Sequence, residues 1–385
     1  MGGVENHIRF ISKELTRRGH EIMLFKPVWE DKVDLRERQI ENLTIFYIKL
    51  GKPPFNLQRW SGQGIWGYLA GFLGKAAYSF GAARVVKALM FWQPELVWQH
   101  DFSSNWWATR KLARFFPVVL TNHSGEYLLL KKFWIGRILL LWMLRHYKAI
   151  IGPSRELTPD FPKKAFTIHN GVDTRLFVPL PPEKRNSMKR ELFGDTDRFV
   201  IFCPRRWAPT KGIIYLAKAI QWMGRNNQLN SKFIFVFAGS ETQYPKYVEQ
   251  INRELEDFED SVIKLGSLNI YEMVRYYQSS DLIVIPSVME AVSLAALESM
   301  ACGTPVISTH VGGMPEIIED GETGYLISPC RFQELGEAIL RVYKDPHRAL
   351  VAEKALAMIQ QKYDWSVIAT NTEKVLLKAV KDRGN

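Results

Sequence analysis

Short apolar runs alternate with amphipathic stretches along the whole chain. The runs Leu43–Ile48, Leu96–Trp98, Val118–Thr121, Ala149–Ile151, Phe199–Cys203, Phe233–Ala238, Val262–Leu265, Leu282–Ile285 and Pro305–Ser308 read as strands. Each is short, rich in β-branched or aromatic residues, and bounded by turn formers. Between them, Glu5–Arg18, Gly212–Met223, Pro245–Phe258, Ile270–Gln278 and Leu294–Ala301 carry apolar residues at helical spacing. Strands that alternate with helices pair in parallel and are covered on both faces, so the class is α/β with doubly wound sheets.

At 385 residues the chain is too long for one ordinary core. The segment Phe177–Ser187, FVPLPPEKRNS, is proline-rich and charged and reads as a linker. It predicts one domain over 1–180 and a second over 188–363, with a final helix over 366–385 packing back on the first. A doubly wound domain normally opens with a central strand that feeds a glycine turn and a helix. Here Gly2 and Gly3 come first and the helix follows directly, so the first strand is expected to be absent. A central parallel strand is buried on both faces, and its loss would be costly.

Charge changes the picture. Residues 1–170 hold 25 Lys and Arg against 13 Asp and Glu, a net of 25 − 13 = +12, while the whole chain stands at +11. Nine of the twelve tryptophans fall in the same stretch. A basic, Trp-rich half suits an anionic surface. Lys131–Lys148, KKFWIGRILLLWMLRHYK, fits an interfacial helix on anionic lipid, and Phe55–Phe80 adds Trp60 and Trp66. The apolar stretch Phe133–Ile151 is broken by Arg137, Arg145, His146 and Lys148 and does not span a bilayer. No nucleic-acid module is recognisable, and the aromatics interleave with aliphatic runs instead of Lys and Arg, so nucleic acid is not expected. The N-terminus lacks the basic-then-apolar run of a signal peptide. Cys203, Cys302 and Cys330 are far apart and form no CxxC pair. A reduced cytoplasmic protein without disulfides or zinc is expected, peripheral on the inner membrane face.

Two constellations carry candidate chemistry. The first is PSVMEAVSLAALESMACGTPVISTHVGGMPE, from Pro286 to Glu316. It follows a strand and opens a helix, the place where open α/β sheets bind ligands. Glu290 lies in the loop, and Glu298 lies about two turns into the helix. Backbone N–H groups of Val292, Ser293 and Leu294, at the helix start, are expected to point at the crevice. A carboxylate can accept two hydroxyl hydrogens from a vicinal diol. The second is FCPRRWAPTKG, where Arg205 and Lys211 suit a diphosphate and Gly212 lets the next helix begin close to the ligand. His123, in TNHSGE, and His100, in WQHD, end strands, although a lone histidine is more often structural. Asp195-Thr196-Asp197 has the form of a metal-binding DxD, but it lies at the amino end of a strand, where a turn calls for Asp. No HExxH, P-loop, GxSxG or GxGxxG is present.

The chain resembles the GT-B glycosyltransferases of family four, the group that includes sucrose synthase and bacterial phosphatidylinositol mannosyltransferases. The resemblance is carried, in order, by GGVENHI…LTRRGHEI, PELVWQHD, VVLTNHSG, IHNGVDTRLF, PRRWAPTKG, LGSLNIYEMVRYYQSSDLIVIPS and the Glu290–Glu298 segment with its downstream glycines. It implies two Rossmann-like domains facing a cleft. It also implies a retaining enzyme that moves a sugar from a nucleotide-diphosphate sugar without a bound metal or other cofactor. By the resemblance, Glu298 binds the donor ribose and Glu290 holds a hydroxyl of the transferred sugar. Arg205 and Lys211 bind the diphosphate, His123 reaches the donor sugar, Gly3 approaches the diphosphate and Leu268 meets the base through its backbone. The acceptor is expected to be a cell-envelope glycan or a lipid-linked molecule. Ala291 and Ser293 stand where the family usually has glycines. A nucleotide-sugar epimerase and a non-catalytic donor-binding protein are the alternative readings.

Overall fold

A computed structural model describes residues 3–28, 36–40, 43–50, 78–160, 164–194 and 197–382. The chain divides into two compact units: Met1–His169 with Ile368–Asn385, and Asn170–Val367. The division falls before the proline-rich segment predicted to be the linker. Phe177 is buried in the core of the second unit, and Pro182–Phe193 is a helix. Proline suits the first turn of a helix, where its missing N–H would have no partner anyway, so a helix start has the composition of a linker.

In the first unit, the helix Gly3–Arg17 is followed by three strands: β1 (Ile22–Val28), β2 (Arg36–Ile40) and β3 (Leu43–Lys49). They form a sheet of order β1-β3-β2, parallel between β1 and β3 and antiparallel between β3 and β2. A second sheet, wholly parallel, runs β4 (Val97–His100), β5 (Val118–Thr121), β6 (Ala149–Gly152), β7 (Ala165–Thr167). Its central strands β5 and β6 are fully buried, as their unbroken VVLT and AIIG sequences require. The C-terminal helix Trp365–Lys381 is held to this unit through Glu373, which accepts from Arg18 at 3.0 Å and lies 2.6 Å from His20 Nε2. Gly2, the tryptophans Trp60 and Trp66, and Asp195 lie outside the described residues.

The second unit is a six-stranded parallel sheet: β8 (Phe199–Pro204), β9 (Phe233–Ala238), β10 (Val262–Lys264), β11 (Leu282–Ile285), β12 (Val306–Thr309) and β13 (Tyr325–Ile327). Its order is β10-β9-β8-β11-β12-β13. Side chains alternate between two cores. Val200, Phe202, Ile234, Val236, Ile283, Ile285 and Val306 face one way, toward Val274 and Tyr277 of the helix Ile270–Ser279 and toward the helix Leu294–Ala301. Phe199, Ile201, Cys203, Phe233, Phe235, Phe237 and Val284 face the other, toward the helices Ile213–Arg225, Pro245–Leu255 and Phe332–Lys344. The chain winds outward from β8 to β9 and β10, then returns to β11 beside β8. The winding direction therefore reverses between β8 and β11, and the crevice at their carboxyl ends is where such sheets place ligands.

Asp281 clamps the opposite, amino end of the sheet. Its carboxylate accepts from Arg185 at 2.7 Å, from Lys189 at 2.7 Å and from the Val200 N–H at 2.8 Å. Lys189 is nearly fully buried, so removing its partner strands a charge. Asp281→Ala is expected to cost about 3 kcal/mol in urea unfolding; a loss below about 1 kcal/mol would class the clamp with ordinary surface pairs.

Candidate donor site

The loops after β8 and β11 touch backbone to backbone. Gly212 has φ +67°, and a Cβ there would lie 1.8 Å from the Pro286 carbonyl oxygen. Only glycine can occupy that position. Gly312 repeats the device on the other side: φ is +54°, and its Cβ would lie 1.6 Å from the Glu290 carbonyl oxygen. The N–H groups of Val288 and Met289 donate to the Thr210 carbonyl at 3.0 and 3.1 Å. Glu290 is thereby pressed against the basic loop.

That approach assembles a buried ion cluster. Arg205 donates from Nη2 to Glu290 Oε2 and to Ser287 Oγ (3.2 Å), and from Nη1 to Ser293 Oγ (3.0 Å). Lys211 Nζ donates to the same Glu290 oxygen at 2.9 Å, and Ser287 Oγ lies 3.3 Å from it. Arg205 Nε is buried with no partner among the described residues. Two cations against one carboxylate leave a net positive charge, and an unused guanidinium donor remains for an anion. Burial pushes the Glu290 carboxyl up, but Arg205 and Lys211 with their hydrogen bonds outweigh it, and the group lies below the ordinary carboxylate value. Burial and Arg205 draw the Lys211 ammonium below its usual range, against the pull of Glu290.

Glu298, on the helix Leu294–Ala301, accepts from the Tyr277 hydroxyl at 2.8 Å. Burial raises its carboxyl to about 7, opposed by the Tyr277 hydrogen bond and by Arg205. At the helix start, Ser293 differs from expectation. Val292 is buried in the core and Leu294 packs against it. The Ser293 N–H donates to Met314 Sδ at 3.4 Å, since the chain after β12 folds back over it. What Ser293 offers is its hydroxyl, spent on Arg205. Leu268 lies in the loop after β10, partly buried against the same core, just before an Asn269–Glu272 capping box.

In the first unit, three imidazoles converge at the carboxyl ends of β4 and β5. His100 Nδ1 lies 3.2 Å from His123 Nε2, and His7, from the helix Gly3–Arg17, brings the three ligand atoms within 4.8 Å of one another. Asp101, with φ +63°, turns back so that its carboxylate accepts the His123 N–H at 3.0 Å. Burial, then the neighbouring imidazoles, holds His100 and His123 well below the usual histidine range, so both are neutral at pH 7. Neutral imidazoles can donate and accept with sugar hydroxyls. They are also metal ligands, although one tetrahedral zinc would need nitrogens ~3.3 Å apart.

Known proteins bear on both units. The profile of Glycosyl transferases group 1 matches residues 184–365, and that of Glycosyltransferase Family 4 matches residues 1–176. The chain belongs to glycosyltransferase family four. It is 30% identical over 198 residues to the lipopolysaccharide 1,2-N-acetylglucosaminetransferase of Salmonella typhimurium, a match covering 49% of this chain and 52% of that one. Matches of this kind span a little over half the length of the curated relatives. Among solved structures, the sucrose-phosphate synthase of Thermosynechococcus elongatus superposes with a TM-score of 0.79 at 20% identity, covering 98% of this chain and 93% of that one. Anabaena HepE, solved with UDP and glucose, gives 0.71 at 20%, covering 98% and 96%. These likenesses carry the GT-B fold.

Of the residues read from the family-four sequence, Arg205, Lys211, Glu290 and Ser293 meet in one cluster, and Glu298 lies in the same unit on the following helix. His123 and Gly3 belong to the first unit. His7, Ser287 and Tyr277 escaped the sequence reading. His7 follows Gly3 by one helical turn, a spacing that brings both to one face of the helix; Tyr277 carries no local signal at all.

Two outcomes follow. If Glu298 accepts hydroxyl hydrogens, its ionised form binds the ligand. Affinity for a nucleotide sugar, whose diphosphate does not titrate near neutrality, should then fall on the order of tenfold per pH unit below about 7 and level off above it. Calorimetry on Glu298→Gln should give a flat profile. The histidines supply the second. Their folded values are depressed, so below the unfolded value of about 6.5 the unfolded state takes up protons that the folded state refuses. Stability should therefore drop as pH falls through 6.5, by up to about 1.4 kcal/mol per unit for each histidine. His100→Gln should shallow that slope in urea titrations, and an unchanged slope would place the protonation elsewhere.

Proposed function

We propose that this chain is a retaining glycosyltransferase of the hexosyl type, moving a sugar from a nucleotide-diphosphate sugar to a cell-envelope glycan or lipid-linked acceptor at the inner membrane face. The observation that carries the reading is the Arg205–Lys211–Glu290 cluster at the point where the sheet reverses. As the anomeric carbon–oxygen bond breaks, negative charge grows on the departing diphosphate. Arg205 and Lys211 are the groups that would take up that charge, and such aimed charges are commonly the largest catalytic term. Both cations lean on Glu290. A diphosphate would displace that carboxylate and leave it to accept from a sugar hydroxyl.

Glu298 is assigned to the ribose diol and the Leu268 backbone to the base. Gly3 is assigned to close approach to the diphosphate, and neutral His123 to the hydroxyls of the donor sugar. No nucleophilic role is assigned to Glu290, since the sugar hydroxyl takes up the carboxylate that the diphosphate frees. Retention is then ascribed to departure and attack on one face of the ring. The reading calls for no metal. HepE bound to UDP and glucose, and the Salmonella N-acetylglucosaminetransferase, are in keeping with a nucleotide-sugar donor and an envelope acceptor.

The test is thermal melting with a panel of UDP-, GDP- and ADP-sugars. A ligand that binds only the folded state raises the melting point by mass action. One donor should raise it, and Glu298→Ala and Lys211→Ala should each weaken that donor on the order of tenfold to a hundredfold. Binding without any sugar transfer would favour a non-catalytic donor-binding protein, and a donor whose sugar is inverted at a carbon without transfer would indicate an epimerase. No shift with any donor would end the reading.

A further inference from the structure

The helix Trp134–Leu144, WIGRILLLWML, is apolar apart from Arg137, a composition that ordinarily marks a helix enclosed in a core or lying in lipid. Only half of it is enclosed. Gly136, Leu140, Met143 and Leu144 line its inner face. Trp134, Ile135, Ile138, Leu141 and Trp142 lie on the outer face and are exposed, Trp134 by 73% and Ile135 by 62%, with Phe133 beside them at 58%. Scattered exposed apolar side chains are normal, but a contiguous run on one face marks an interaction surface.

The face continues onto a second helix. Trp142 packs at a tilt on the buried Trp106, 4.0 Å between ring centroids, and Trp106 lies 4.6 Å from Trp107, which is exposed on the helix Trp106–Leu112. The border is basic. Arg110 lies over both indoles and Arg145 over Trp142. Lys111, Arg114, Lys132, Arg137 and Lys148, on these two helices or within a few residues of their ends, are exposed. Neither 106–116 nor 131–151 contains an acidic residue. Among the described residues no helix is long and apolar enough to cross a membrane.

We propose that this face docks on an anionic lipid bilayer, with Trp134, Ile135, Ile138, Leu141 and Trp142 entering the interface and the arginines and lysines meeting the headgroups. Charge complementarity selects the occupant. Aliphatic side chains at its centre have no use for nucleic-acid phosphates. A second copy packed through the same patch would bring Arg137, Arg145 and Lys132 against like charges, because a two-fold interface pairs each patch with itself. Indoles at the boundary with long cations reaching outward is the composition that lies in a membrane interface. The proposal names the surface at which the acceptor would be met, and it stands whether or not transfer to a lipid-linked acceptor does.

Co-sedimentation of the full chain with vesicles of phosphatidylcholine, alone or mixed with phosphatidylglycerol, tests it at low and high salt. The chain should pellet with the anionic vesicles at least about tenfold more strongly than with the neutral ones, and salt should weaken the binding. Ile135→Ser with Ile138→Ser should reduce binding to the anionic vesicles by about tenfold or more. Lys132→Glu with Arg137→Glu should abolish the preference for them. Both variants should melt as the parent does and keep its nucleotide affinity, which separates this test from that of the transferase reading. Parent chain left in the supernatant with anionic vesicles at low salt overturns the proposal. So does serine-variant binding equal to the parent's, or a parent dimer in sedimentation velocity that the serine variant disperses.

Discussion

The second unit depends on one close approach: the backbone of Gly212 against the carbonyl of Pro286. Without a side chain at Gly212, the loops after β8 and β11 meet at the reversal point of the sheet, and everything chemical there follows from the meeting. Gly312 closes the far side against the carbonyl of Glu290. The glutamate is thus fixed by its backbone before its side chain makes any bond. Parallel strands buried on both faces supply the rigidity, since their two cores leave the carboxyl ends no freedom to separate.

Burying two cations and a carboxylate is costly unless each is paired, and here both cations share one carboxylate oxygen, Glu290 Oε2. The cluster retains a positive surplus and an unused donor on Arg205. Its natural complement is a second anion. The same low-dielectric setting leaves Glu298, which pairs with no cation among the described residues, with its carboxyl raised to about 7.

Much of this was legible in the sequence, and the reason is physical. Parallel strands buried on both faces must be continuous apolar runs, so β5, β6, β8, β9, β11 and β12 could be read directly. β13 and β2, which lie at sheet edges, gave weaker patterns. Arg205, Lys211 and Glu290 could be placed because each follows a strand end. Their mutual ion pairing could not, since it depends on Gly212 and Gly312 bringing separate loops together. Tyr277 is a long-range partner with no local signature, and the signal for His7 is only its one-turn spacing from Gly3. The proline-rich segment misled because the start of a helix and a linker use the same residues, and Ser293 because the amide read as open is taken by Met314. The exposed face of the helix Trp134–Leu144 was visible as composition, but only the structure tells its outer residues from its buried ones.

If the proposed function holds, Glu290 occupies cations that belong to the diphosphate. Calorimetric titration of UDP, GDP and ADP into the parent chain and into Glu290→Gln tests it most directly. The glutamine variant should bind its nucleoside diphosphate several-fold more tightly than the parent while its sugar transfer falls. Unchanged or weaker binding by Glu290→Gln would contradict it, and would mean that the carboxylate organises the cations for the ligand instead of competing with it.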